Sequence, residues 1–305
     1  MRVKALLAAL VLALTGDAFA QAHSTLLNGR LSYPEGAYWH EGGLIVAEMG
    51  ADRISHFRNG RRTTYWRERN CGPTAVAPYR DGLLVLCHLR GVVIAIDAQR
   101  RKQFTVYQDA EGNGFRDPND AYADGEGGVY FSDPGHFNQT FEPEGAVVYL
   151  GADGVAHRVA SDLAYPNGIY VDQAARMLYV SETFRRRVLR YPIVGPGRLG
   201  PMEVFVDIDA IVPPMTRYSD SFREAGPDGL EIGPDGLLYV ALYGEGRVLR
   251  FTREGAYADA IDTPQRFVTN MAWDPAGALY TVGPFEPREP PFRGEARRWT
   301  NVPHP

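Results

Sequence analysis

One short phrase recurs along the chain, and each copy carries an oxygen donor just ahead of a strand-like run. The copies are Tyr33-Pro34-Glu35-Gly36, Asp117-Pro118-Asn119-Asp120, Tyr165-Pro166-Asn167-Gly168 and Gly226-Pro227-Asp228-Gly229. Val268-Thr269-Asn270-Met271 is a further copy without the proline. Carboxylate and amide oxygens suit a hard cation. Glu35 and Asp228 balance a divalent charge, while Asn119 and Asn167 add ligands without excess charge. Ca2+ is the first choice, with Mg2+, Mn2+ or Zn2+ as alternatives; no cluster of His and Cys makes zinc the natural ion. The chain has no EF-hand loop, so such a site must be assembled from distant residues. A lone Pro-Asn-Gly or Pro-Asp-Gly is more often a turn than a ligand. Recurrence at one place in a repeat, with complementary charge, favours a site.

The elements that must position these donors come from the repeat itself. Segments opening near residues 33, 72, 118, 165, 226 and 268 share one order: the phrase, a short strand, a polar turn and an apolar strand, then a loop and a third strand. The second strands, such as Leu83-Leu84-Val85-Leu86-Cys87 and Met177-Leu178-Tyr179-Val180-Ser181, are short and rich in β-branched and aromatic residues. A period of about forty residues or somewhat more is that of four-stranded propeller blades. The expected fold is all-β: a six-bladed β-propeller forming one domain over residues 23–305, with His23 to Leu31 as an outer strand that closes the ring. In such a ring the phrases and the loops after second strands share one face. Glu35, Asn119, Asn167, Asp228 and Asn270 should then surround the channel mouth, beneath loops carrying Met49, His88, His136, Phe184 and Tyr243. The long stretch Ile211 to Ala225 reads equally as a lid over the channel or as a solvated loop.

Composition narrows the function classes. The 305 residues carry a net charge of −5, and 45% are hydrophobic. That balance, with no long basic run, gives no support for a nucleic-acid partner; Arg185-Arg186-Arg187 reads as a solvated loop. Residues 1–20 have the form of a secretory leader: Arg2 and Lys4, an apolar run from Ala5 to Leu14, and Ala18-Phe19-Ala20 as a small-x-small cleavage site. No cysteine near that site offers a lipid anchor, and no later apolar stretch reaches spanning length, so no membrane partner is expected. The mature protein is expected in the periplasm or outside the cell. Cys71 and Cys87 flank a hairpin that turns near Arg80-Asp81-Gly82, which suits either a cross-strand disulfide or two buried thiols.

Taken in order, Pro34-Glu35-Gly36, Pro118-Asn119-Asp120, Tyr130-Phe131-Ser132-Asp133-Pro134, Pro166-Asn167-Gly168-Ile169 and Pro227-Asp228-Gly229 resemble the senescence marker protein/gluconolactonase/regucalcin-like family, with its related lactonases and the diisopropyl fluorophosphatase group. The resemblance covers nearly the whole mature chain. It implies a six-bladed propeller with a catalytic divalent metal in the channel. Glu35, Asn167 and Asp228 would be metal ligands, Asn119 a fourth ligand or a substrate contact, and Asp228 also the catalytic base or nucleophile. A small-molecule substrate would meet Asn119, Asp120, Asn270, His136 and Tyr243. The implied reaction is hydrolysis of a cyclic ester. The alternatives are hydrolysis of a phosphotriester or fluorophosphate on the same metal, a non-hydrolytic step such as an isomerisation, and a non-enzymatic ligand-binding propeller with a structural metal. The chain departs from the family pattern at two places. Asp117 stands where sugar-lactone members often have Arg, with Arg116 beside it, which weakens the case for a sugar-acid substrate. Glu231 suits the second, structural metal of the phosphatase-like members, but Ala272 stands where that site has His. A Ser-His-Asp hydrolase is disfavoured by the lack of a Gly-x-Ser-x-Gly elbow.

Overall fold

Short apolar strands separated by polar turns cannot bury both faces alone, so they stack as sheets around an axis. The computed structural model describes residues 22–137, 142–212, 225–287 and 290–302. The leader-like segment and most of the stretch from Ile211 to Ala225 lie outside the described residues. The described chain forms six antiparallel sheets, five of four strands and one of five. Their innermost strands are Pro34–His40, Pro73–Tyr79, Ala121–Ala123, Pro166–Asp172, Gly226–Ile232 and Asn270–Trp273. Each inner strand contacts the next, and the sixth contacts the first, so the ring is closed. The last sheet is completed from the other end of the chain: His23–Ser32 pairs antiparallel with Arg293–Thr300, Ser24 opposite Trp299. Among the described residues no helix is long and apolar enough to cross a membrane.

The core lies between blades. Leu84 and Leu86 of the second blade pack against Phe131 and Val148 of the third. Tyr179 and Val188 of the fourth pack against Val240 and Leu249 of the fifth. Such faces draw on residues far apart in sequence, which is why the ring forms as a whole.

A second regularity holds the approach to the inner strands. In the first blade Glu48, fully buried at the end of its second strand, accepts from the Ser32 N–H at 3.0 Å and from Arg53 Nε at 3.0 Å. In the third, Asp133 Oδ1 accepts from the Arg116 and Asp117 N–H groups, each at 3.0 Å. In the fourth, Glu182 accepts from the Ala164 N–H at 2.7 Å and pairs with Arg187. Each clamp fastens the backbone two residues before the phrase proline. In the second blade the same two places are Cys71 and Cys87, and they form a disulfide. A covalent bond there takes the place of the carboxylate clamp.

Cross-linking residues 16 apart removes loop-closure entropy from the unfolded chain, a stabilisation of about 3 kcal/mol. Cys71→Ser with Cys87→Ser is therefore expected to lower the denaturation free energy by about 2–4 kcal/mol. A chemical melt under oxidising conditions measures it, and a loss below about 0.5 kcal/mol would show that the clamp contributes little.

Candidate active site

Where glycine follows the donor, the inner strands run so close around the axis that no side chain would fit. A Cβ on Gly36 would lie 2.3 Å from the Thr74 carbonyl oxygen of the next blade, and one on Gly168 would lie 2.2 Å from that of Asp228. Glycine follows the donor because a neighbouring backbone occupies the space, and these phrases open strands rather than turns. Gly168→Ala is expected to push the Asp228 backbone outward, costing about 1–3 kcal/mol of stability. An unchanged melting temperature would contradict the close-approach account.

The donor position is occupied around the ring by Glu35, Thr74, Asn119, Asn167, Asp228 and Thr269. The two threonines are used between blades. Thr74 Oγ1 donates to the Pro118 carbonyl at 3.0 Å, and Thr269 Oγ1 donates to that of Glu35 at 2.9 Å. Glu35, Asn119, Asn167 and Asp228 remain, and all of them line one cavity of about 460 Å3. Asn119 is held by its own N–H, which donates to the Ser132 carbonyl at 2.9 Å.

The floor has an unbalanced charge. Burial, followed by repulsion from Asp120, pushes the Glu35 carboxyl up to about 8. Burial, then Glu35, then Asp120 hold Asp228 well above the usual carboxylate range, against one backbone N–H from Gly229 that favours the ionised form. Asn167 Oδ1 is buried without a hydrogen-bond partner. No Lys or Arg lines the cavity among the described residues. The described residues hold no group of three or more His, Cys, Asp and Glu suited to a metal; the floor combines two carboxylates with two amides instead. An orphaned amide oxygen and two carboxylates that repel each other fit a hard divalent cation.

The walls are largely apolar. Met49, Leu89, Phe137 and Phe292 line them, and Tyr33 and Tyr165 enter from the residue before each phrase proline. Both tyrosines have left-handed backbone, φ 43° and φ 60°, a conformation non-glycine residues rarely hold without cause. The Tyr33 and Tyr243 hydroxyls lie 3.4 Å apart.

Of the residues expected from sequence, Glu35, Asn119, Asn167 and Asp228 come together, and Tyr243, Met49 and His88 stand above them. Phe184 backs the wall by stacking on Tyr165, centroids 4.7 Å apart. Three expected substrate contacts lie elsewhere. His136 is at the rim, mostly exposed, with Nδ1 3.2 Å from Asp117 Oδ2. Asp120 and Asn270 stand one residue past the donor position, where the other phrases have glycine. They line a separate chamber of about 30 Å3 with Glu231, Tyr38 and Tyr122. Asp120 is used there, accepting from the Ile169 N–H at 3.0 Å and the Ala121 N–H at 2.9 Å. Glu231 in that chamber is pushed up to about 8 by burial and then by Asp120. Tyr33, Tyr165, Leu89, Phe137 and Phe292 were not singled out by sequence. The tyrosine before the proline in two copies of the phrase was the available signal.

Fold and floor together define a six-bladed propeller whose central channel opens into a cavity with a floor of oxygen donors. The chain belongs to the SMP-30/gluconolactonase/LRE-like family, whose profile it matches over residues 33–281. It is 28% identical over 234 residues to the lactonase drp35 of Staphylococcus saprophyticus, covering 74% of this chain and 68% of that protein. Against the drp35 proteins of other staphylococci the match spans between 57% and 60% of their length. Among solved structures, a gluconolactonase from Xanthomonas campestris superposes with a TM-score of 0.73 at 22% identity, covering 94% of this chain and 91% of that one. The calcium-binding protein regucalcin from Agrobacterium tumefaciens gives 0.72 at 19% identity, covering 92% and 93%. At these identities the two structures speak to the fold.

Proposed function

We propose that the cavity is the active site of a metal-dependent lactonase that opens a cyclic ester. The observation that carries this reading is the floor, where Glu35, Asn119, Asn167 and Asp228 share one cavity with a buried, unpartnered amide oxygen. The lactonase relatives support it, as does the calcium-binding neighbour. Glu35, Asn119, Asn167 and Asp228 would hold the cation, Ca2+ first. When bound, a divalent cation polarises an ester carbonyl and offsets developing negative charge, by several kcal/mol. Asp228 either takes the proton of an attacking water and passes it to the ring oxygen as the ring C–O bond breaks, or attacks the carbonyl carbon itself, breaking that bond to give an anhydride that water then hydrolyses. Its burial keeps bulk water away from its oxygens. The apolar walls hold the ester ring over the floor and exclude bulk water.

The test is turnover by chelator-treated protein reloaded with Ca2+, Mg2+, Mn2+ or Zn2+, on a panel of lactones and phosphotriesters. Lactone hydrolysis that is lost on chelation and restored by one of these cations is expected. Phosphotriester turnover alone would transfer the floor to the rival reaction. Tight cation binding with no turnover on either class would make the metal structural and the propeller a binding protein.

A further inference from the structure

We infer that the substrate carries a flat apolar group, an aryl ring on the ester ring, in place of the hydroxyls of a sugar lactone. The inference rests on the lactonase reading of the same cavity. Its first support is the small polar set above the floor: among the described residues, the side chains are three tyrosine hydroxyls, one threonine hydroxyl and one imidazole. Thr183 Oγ1 donates to the Pro227 carbonyl at 2.8 Å, and the Tyr33 and Tyr243 hydroxyls face each other. His88 adds a single imidazole, and no Lys or Arg lines the cavity among the described residues. The charged residues just before Asn119 are engaged outside it, Arg116 with Glu144 and Asp117 with His136. A polyol would bring several hydroxyls to this wall, and each buried one left without a partner weakens binding by about an order of magnitude.

The second support is the placement of the rings. Tyr165 belongs to the fourth blade and Tyr33 to the first, which are opposite in a closed ring of six. Each has neighbours. Phe137 meets Tyr165 edge-on at 5.1 Å and 79°, and Phe292 meets Tyr33 at 5.9 Å and 68°. Phe137 is 49% exposed, a large apolar ring left uncovered at the cavity. Left-handed backbone at both tyrosines is shared by Gly72 at the same place in the second blade, and both rings line the cavity. A flat apolar group in the cavity gains contact with these rings.

The cation-loaded protein can be assayed on γ-phenyl-γ-butyrolactone, γ-methyl-γ-butyrolactone and glucono-δ-lactone. The phenyl compound is expected to exceed the methyl compound in kcat/KM by about tenfold or more, and the polyhydroxylated one by about a hundredfold. Phe137→Ala should reduce the phenyl-to-methyl ratio by about tenfold. Preference for the polyhydroxylated lactone, or an unchanged ratio in Phe137→Ala, would overturn the inference. If no lactone is hydrolysed with any cation, calorimetry with 5-phenyl-2-pyrrolidinone, a lactam that resists hydrolysis, separates the two claims. Binding that Phe137→Ala weakens by about tenfold would uphold the apolar ligand while the lactonase reading falls; no binding would overturn both.

Discussion

Asp228→Asn is expected to lower kcat/KM on any lactone the native protein opens by at least about a thousandfold, with the fold intact. Asp228 is 5% exposed at the cavity floor. The substitution keeps its shape and one oxygen donor but removes the basic carboxylate, whether that group deprotonates water or attacks the ester. It also removes one of two buried carboxylates that the fold holds close together against their mutual repulsion. The metal-free variant should therefore melt no lower than the native protein, and its affinity for the cation should fall. Steady-state kinetics at saturating cation, a thermal melt and calorimetry separate these effects. Activity above a tenth of the native value would remove Asp228 from the bond-making step.

The cation itself should produce the largest change in stability. A ligand that binds only the folded chain stabilises by about 2.7 kcal/mol at a hundred times its Kd. For a domain of this size that is a rise in melting temperature of about 4–5 °C, reversed by chelator. The pH dependence has a definite sign. In the metal-free protein Glu35 titrates near 8 against an ordinary value of 4.5, and Glu231 does the same. Between those values the folded chain keeps protons that the unfolded chain has lost, so stability falls as pH rises. His40, His56 and His88 are held below their ordinary 6.5 by burial and act in the opposite direction, but above pH 6.5 they are largely neutral in both states. From pH 6.5 to 8 the metal-free melting temperature should therefore decrease. Saturating Ca2+ should flatten the slope, because the cation keeps Glu35 and Asp228 ionised, leaving the share due to Glu231. A metal-free melting temperature that climbs over this window would contradict a floor of repelling carboxylates.

The sequence by itself determined the blades and the four floor donors. Position within a repeat becomes position around the ring, so Glu35, Asn119, Asn167 and Asp228 had to meet once the ring closed. The closing strand His23–Ser32 was legible for the same reason. What lay one residue further along was not. Asp120 and Asn270 look like floor residues in the sequence, yet they take the glycine place and drop into the lower chamber. Only the packing of one inner strand against the next decides that, as the carbonyl of Thr74 against Gly36 makes visible. The pairing of Cys71 with Cys87 was open for a related reason. Hairpin spacing brings two thiols near each other, while its role as a substitute for the Glu48, Asp133 and Glu182 clamps emerges when the blades are superimposed. The aromatic walls were hidden most of all. Tyr33 and Tyr165 precede prolines, where local preference is for extended backbone, and tertiary contacts hold them left-handed. Repeat period is a local property that a chain displays along its length; contacts between blades join residues some forty or more apart, and they are set when the ring closes.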